Sequence, residues 1–403
     1  MATMLALRAH QGAEALVLEE VPVPEPGPLD VVVKVASAGL APGIMRLLRM
    51  GALKQLPTTL GHEAAGVISA VGYDVTGHAV GDRVRVHPLL NCRECDYCRT
   101  DRDMMCAQQA MLGHAAFGDG PMPLYEQYHD GGLAEYVRVP HWLIDSLPDS
   151  VGFDVAAKVQ DLANAVRALK CADLPERATL VVTAATGTMG TATVKLAEHF
   201  GVARLILVGR DSDRLHRVAG LAGGIPVGVV ALDELPENWS TDGTLTRRLR
   251  ELAPEGAHAV IDFIPEGPAL GQTMAGMATG GTLVHMGGNS TPLALPPHRP
   301  DDALLALRRH ARLHPPGRDG RPSSARDGRP HRRRAHHASF PAHRSAQGHG
   351  RDTATGRRPH VDDRDQPLTL RTRARRLRGV ASEQREEAGT CPNQKAYAAR
   401  SRH

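Results

Sequence analysis

The first 150 residues carry short apolar runs of strand type. DVVVKVASAG (30–39), AGVISAVG (65–72) and GDRVRVHP (81–88) are separated by Gly, Pro and Asp turns, the punctuation expected of half-buried β-strands. From about residue 151 the period changes. VGFDVAAKVQDLANAVRALK (151–170) has helical spacing, and ATLVVTAATGTMG (178–190) is an apolar strand running into a glycine turn. TATVKLAEHFG (191–201) reads as an amphipathic helix closed by glycine, and RLILVGR (204–210) as a second buried strand. AHAVIDFI (257–264) and GTLVHMGG (281–288) are later strands of the same kind. Strand–helix alternation of this length predicts a doubly wound parallel sheet. The fold class is therefore α/β: a β-rich domain over 1–150, a nucleotide-binding domain over 151–295, and a tail over 296–403 that follows neither pattern.

Composition changes the picture at the tail. The chain as a whole carries a net charge of +4, but residues 308–403 hold 24 Lys and Arg against 9 Asp and Glu, and the rest of the chain is acidic. Stretches such as DGRPHRRRAHHASFPAHR (327–344) hold too little apolar surface to offset chain entropy, so disorder is expected there. Arg, His, Pro and Gly together are also what GC-rich coding DNA yields out of frame. PHRRRAHHASFPAHRSAQG (330–348), back-translated with free synonymous choice and shifted by one base, gives LTVDELITHRFPLTEAHKA, an amphipathic text. A frameshift between about 295 and 330 is the favoured reading, and it removes the last strand of the sheet. The rival is a basic arm that binds nucleic acid electrostatically, but Phe340 and Tyr397, its only Phe, Tyr or Trp residues, are too sparse to interleave for base stacking. The N-terminal segment has no signal-peptide core, and no apolar run approaches the roughly 20 residues that span a bilayer. A reducing cytoplasm is the expected compartment.

The cysteines supply the first chemistry. NCRECDYCRTDRDMMC (91–106) places Cys92, Cys95, Cys98 and Cys106 in a C-x2-C-x2-C-x7-C pattern. Four thiolates on one short lobe suit a tetrahedral Zn²⁺ with no open position, hence a structural metal. The second signal is AATGTMG (184–190), between a strand and a helix. Gly187 and Gly190 let the backbone approach a pyrophosphate seated on the helix N-terminus, with Ala184 and Met189 in the same turn; the first glycine of the usual G-x-G-x-x-G is alanine. The next strand ends in Gly209-Arg210, where an NAD site normally places an acid on the ribose 2′-hydroxyl. An Arg beside that position favours NADP(H) over NAD(H).

The zinc-lobe spacing, GHEAAGVISAVG (61–72), GGLAEYVRVP (131–140), the strand–AxxGxxG–helix unit and AVIDFIPEG (259–267) occur in this order. Together they resemble the zinc-type medium-chain alcohol dehydrogenases and quinone reductases over roughly residues 1–290. The resemblance implies a GroES-like catalytic domain, a Rossmann domain, a homodimer or tetramer, and hydride transfer between a nicotinamide and a small-molecule substrate. It also implies a catalytic zinc on two Cys and one His. His62 matches the histidine, but GLAPGI (39–44) puts Ala41 at the first cysteine, Gly43 at the proton-relay hydroxyl and Ile44 at the supporting acid. VQDLANAV (159–166) puts Gln160 or Asp161 at the second cysteine. The reading is one structural zinc and no catalytic one, with His62, Glu63 and Asp161 as the catalytic candidates and His62 or Asp161 as proton donor. A weak site for metal on His62, Glu63 and Asp161 is the alternative at that position. At the level of function, the alternatives are a non-catalytic relative that keeps zinc and nucleotide, and nucleic-acid binding through the tail.

Overall fold

The computed structural model of the chain describes residues 2–116, 121–289 and 291–292, and the backbone of 306–309. The expectations of disorder, a shifted frame and nucleic-acid binding concern the tail read as 296–403, which lies outside those residues except for the backbone of 306–309. The described residues all fall in one compact unit, Met1–His314.

The N-terminal part is built from ten short strands: β1 (Thr3–Ala9), β2 (Val17–Pro22), β3 (Asp30–Ala38), β4 (Thr58–Thr59), β5 (Ala64–Val71), β6 (Arg83–Val86), β7 (Leu89–Leu90), β8 (Ala110–Met111), β9 (Tyr136–Pro140) and β10 (Ile144–Ser146). They pair antiparallel in a three-stranded sheet (β2-β1-β4), a five-stranded sheet (β10-β6-β5-β3-β9) and the hairpin β7-β8. The period-two pattern does the sorting. Val31 and Val33, Val84 and Val86, and Val137 and Val139 point into one core. Helix α1 (Pro42–Arg49) closes a smaller cluster over Leu53 and Leu60, while α2 (Asp96–Arg99) and α3 (Pro123–Gln127) lie in the intervening loops.

The second part is a six-stranded parallel sheet of β11 (Ala178–Thr183), β12 (Val202–Gly209), β13 (Val227–Ala231), β14 (Ala257–Asp262), β15 (Met277–His285) and β16 (Ala306–Arg309), in the order β13-β12-β11-β14-β15-β16. Counted within the sheet this is 3-2-1-4-5-6, the order of dinucleotide-binding folds, with its switch point between β11 and β14. Alternate residues feed opposite faces. Leu180, Val182, Leu205 and Leu207 pack with α5 (Val159–Ala172) and α6 (Thr188–Leu196), which α7 (Ser212–Ala219) flanks. Val181, Ile206 and Val208 pack with α8 (Thr244–Leu252) and α9 (Ala269–Ala275). The architecture is thus a GroES-like domain followed by a Rossmann domain.

Two expectations need correction. The domain read as 151–295 and as lacking its last strand extends further. Backbone 306–309 joins the sheet in parallel register, from Thr282 opposite Ala306 to His285 opposite Arg309. The tail boundary at 296 came from average composition, which hides the apolar run ALLAL (303–307) just before the arginines. The helical stretch 151–170 is also not one helix. It is α4 (Phe153–Ala157) and then α5, interrupted at Lys158 (φ −88°, ψ 1°). No described helix is long and apolar enough to cross a membrane.

Candidate active site, nucleotide turn and cysteine lobe

The hairpin β7-β8 clamps the ends of the cysteine lobe, so the four sulfurs of residues 92–106 meet. All their ligand atoms lie within 4.8 Å of one another. Cys95 and Cys98 Sγ are 3.5 Å apart, Cys92 and Cys106 3.6 Å, and Cys92 and Cys98 3.9 Å. A tetrahedron of Zn–S bonds of about 2.3 Å has edges of about 3.8 Å, so the quartet fits the ion in size and donor type. Backbone N–H groups are already aimed at sulfur: Cys95 N–H at Cys92 (3.3 Å), Gln108 N–H at Cys106 (3.4 Å) and Cys92 N–H at Cys106 (3.5 Å). Burial opposes thiolate formation at Cys92, yet N–H donors of Glu94 and Cys95 bring its pKa down to about 7. Arg93 (φ 60°) and Asp101 (φ 55°) take left-handed turns that fold the lobe back on itself.

His62 and Glu63 sit between β4 and β5, on a loop held by glycines. Gly61 has φ 105°, and a side chain there would meet Leu133 backbone N at 2.7 Å; its N–H and C=O bond Gly113 (2.8 Å) and Gly132 (2.7 Å). Glu63 is 1% exposed, and its carboxylate fills the space beside Gly39, where a Cβ would lie 1.7 Å from Oε2. Oε2 accepts a hydrogen bond from Lys158 Nζ at 2.6 Å, and the same ammonium is 2.7 Å from Asp161 Oδ2, one turn along α5. His62 Nε2 stands 3.8 Å from Glu63 Oε1, beyond hydrogen-bond range, and the His62 ring packs edge-on against His114 with centroids 4.7 Å apart. Burial, then the charge of Lys158, push the His62 pKa down to about 4, so the ring is neutral at physiological pH. His114 is held down at about 3, first by burial and then by His62. Burial raises the Glu63 carboxyl against the pull of Lys158, and two carboxylates raise the Lys158 ammonium against its own partial burial.

The structure therefore brings His62, Glu63 and Asp161 into one cluster, but around an ammonium. Among the described residues, the four cysteines are the group whose ligand atoms converge on a metal-sized space. Ala41 caps α1, and Ile44 is fully buried against Leu48, Leu53 and Leu60. Lys158 is the residue that sequence reasoning missed. A lysine at the joint of two helices carries no motif, and its partner Glu63 is 95 positions away. The i,i+3 relation to Asp161 was the one local sign.

In the Rossmann domain, Ala184 takes φ 45° at the end of β11 and Gly187 caps α6. A Cβ on Gly190 would fall 2.8 Å from Ala184 O, so glycine is needed for the helix to pack against the turn. Met189, half-buried in the same turn, packs against the core below it. Gly209, on the neighbouring strand, would carry a Cβ 3.0 Å from Leu215. Arg210 follows it, exposed, and Asp211 Oδ1 is engaged at 2.7 Å by Arg214 N–H as the cap of α7. At the switch point, Thr183 Oγ1 donates to Asp262 Oδ1 (2.5 Å), and His285 Nδ1 meets Asp262 Oδ2 (2.6 Å). This network ties the carboxyl ends of β11, β14 and β15 together, where ligands of such sheets bind.

Known proteins agree with this architecture. The family described as "Alcohol dehydrogenase GroES-like domain" matches residues 27–149. An NAD-dependent alcohol dehydrogenase of Sulfurisphaera tokodaii is 31% identical over 270 residues, covering 64% of this chain and 71% of that one. A probable D-xylulose reductase A of Neosartorya fischeri is 29% identical over 294 residues, 71% and 76% of the two chains. A crystal structure of an NAD-dependent alcohol dehydrogenase superposes with a TM-score of 0.64 at 26% identity, covering 76% of this chain and 84% of that one. With a GroES-like domain, a 3-2-1-4-5-6 Rossmann sheet and a relative at this identity, the chain belongs to the zinc-type alcohol dehydrogenase family of medium-chain oxidoreductases.

Proposed function

We propose that the chain is an NADP(H)-dependent oxidoreductase that exchanges hydride with an alcohol or carbonyl, an enone or a quinone, using one structural zinc and no catalytic one. The observation that carries this reading is the Glu63–Lys158 ion pair at 2.6 Å, with Ala41 where the resemblance places a thiolate. The nicotinamide supplies the hydride when bound. The chain's part is to hold it and to manage charge on the substrate oxygen. Gly187, Gly190 and the start of α6 take the pyrophosphate, and Ala184 and Gly209 keep the turn and the strand end open. Exposed Arg210 favours a 2′-phosphate, because the nearest acid, Asp211, is engaged in capping α7. The relatives' names point to alcohols and to the ketose D-xylulose, although the Sulfurisphaera tokodaii relative is named for NAD. The four cysteines would hold zinc as a structural ion, which would organise residues 91–106 and take no part in hydride transfer.

The test is NADPH and NADH oxidation against a panel of aldehydes, ketones, enones and quinones, with NADP⁺ and polyols for the reverse direction. Turnover that prefers NADPH is expected. Binding of NADPH with no turnover on any member would instead support the non-catalytic relative.

A further inference from the structure

We propose that Lys158 fills the place of a metal ion at this site: its ammonium is the cation that meets the substrate oxygen and gives it a proton. This rests on the oxidoreductase reading above. Lys158 is held from both sides of the joint between the two domains, by Glu63 Oε2 at 2.6 Å and by Asp161 Oδ2 at 2.7 Å. An ammonium has three N–H donors. One goes to Glu63 and a second faces Asp161, and among the described residues the third finds no acceptor. The lysine side chain is 34% exposed, against 1% for Glu63 and 14% for Asp161, so the cation is the accessible member of a buried cluster.

The neighbours leave it the role. His62 is a neutral ring, with His114 behind it, and Glu63 and Asp161 are acids. No other cation among the described residues lies within ion-pair distance of either carboxylate. An oxyanion forming here has one positive charge to meet.

The step balances as follows. Hydride adds to the carbonyl carbon, and the π pair of the C=O bond moves to oxygen. An Nζ–H bond of Lys158 breaks as the O–H bond forms, leaving a neutral amine that takes its proton back from water. The net change is NADPH, carbonyl and one proton to NADP⁺ and alcohol. Proton transfer is downhill because an alkoxide is far more basic than an amine, and the two carboxylates keep the lysine protonated until the alkoxide forms.

The experiment compares Lys158→Ala and Lys158→Arg with the wild type in the full chain, reading turnover, NADPH affinity and zinc per chain. Lys158→Ala is expected to lose about 100-fold or more in kcat with NADPH affinity unchanged. Lys158→Arg should recover part of the loss, with the alkaline limb of the rate profile moved upward, since guanidinium deprotonates at higher pH. Removing the ammonium leaves His62 beside two uncompensated carboxylates. Lys158→Ala in excess Zn²⁺ should therefore take up one more zinc than the wild type, and Lys158→Ala with Glu63→Gln should not. A Lys158→Ala protein with wild-type kcat overturns the proposal, as does one that gains no zinc. If the wild type turns over nothing, the oxidoreductase reading fails, and the zinc comparison still decides whether this is a cation's place.

Discussion

A carboxylate that is 1% exposed keeps its charge only where a cation or several donors meet it, so the Glu63 environment is sensitive to small changes. Gly39→Ala puts a Cβ 1.7 Å from Glu63 Oε2 and must displace the carboxylate from Lys158. We expect a loss of about 1–3 kcal/mol, read as a lower Tm; an unchanged melting curve would contradict the packing described. The histidine makes a prediction in pH. His62 has its pKa lowered from 6.5 to about 4, so between these values the unfolded chain binds a proton that the folded chain refuses. The contribution is fully present above pH 6.5 and falls by about 3 kcal/mol as pH drops to about 4. Glu63, with its carboxyl raised, works in the opposite direction. The effect is therefore isolated by comparing the wild type with His62→Gln in urea unfolding at several pH values. Equal slopes for the two proteins would show that His62 is not held neutral. At this scale the family resemblance offered His62, Glu63 and Asp161 as candidates, and the structure sets them in one cluster with Lys158. It could not identify Lys158, since a long-range ion pair leaves no local period.

Among elements, the cysteine lobe was fully legible, because metal-ligand spacing is written in consecutive residues. It has little core of its own: Cys106 is buried, while the other three sulfur-bearing residues are half-buried. Stripping the metal with a chelator should leave the sheets folded and open the lobe, so that trypsin cuts at exposed Arg93, Arg99 and Arg102. Equal protease resistance with and without chelator would argue against a structural metal. The nucleotide turn was legible as strand, glycine turn and helix, though its tightness at Gly190 depends on packing across the turn. The end of the neighbouring strand yields a further prediction. Arg210→Ala should weaken NADPH about tenfold, or about 1.4 kcal/mol, and leave NADH unchanged; equal loss for both would remove Arg210 from the 2′ position. The helix break at Lys158 was not legible, because FDVAAKVQDLANAV (153–166) continues the same period across it. The Thr183–Asp262–His285 network was missed for a different reason: it joins three strand ends that only the sheet order makes neighbours.

For the whole molecule, two-domain order was legible because the hydrophobic period switches from two to strand–helix alternation near residue 151. The sixth strand was not, because only five residues of apolar text, ALLAL (303–307), stand directly before an arginine-rich stretch and two of the strand's four residues are arginine. The shifted-frame reading of the tail makes a prediction about the gene: codons downstream of about 295–330, read one base over, should continue an amphipathic chain. Codons that give no such text in either alternative frame would leave the basic tail as a feature of the protein. The central claim is that one metal suffices, with a lysine in the position of the other. Zinc per chain, by elemental analysis of purified protein that turns over NADPH, tests it most directly. The account predicts one zinc, lost with the cysteines. Two zincs per chain, one of them dependent on His62, would contradict it and return the site to metal-assisted alcohol dehydrogenase chemistry.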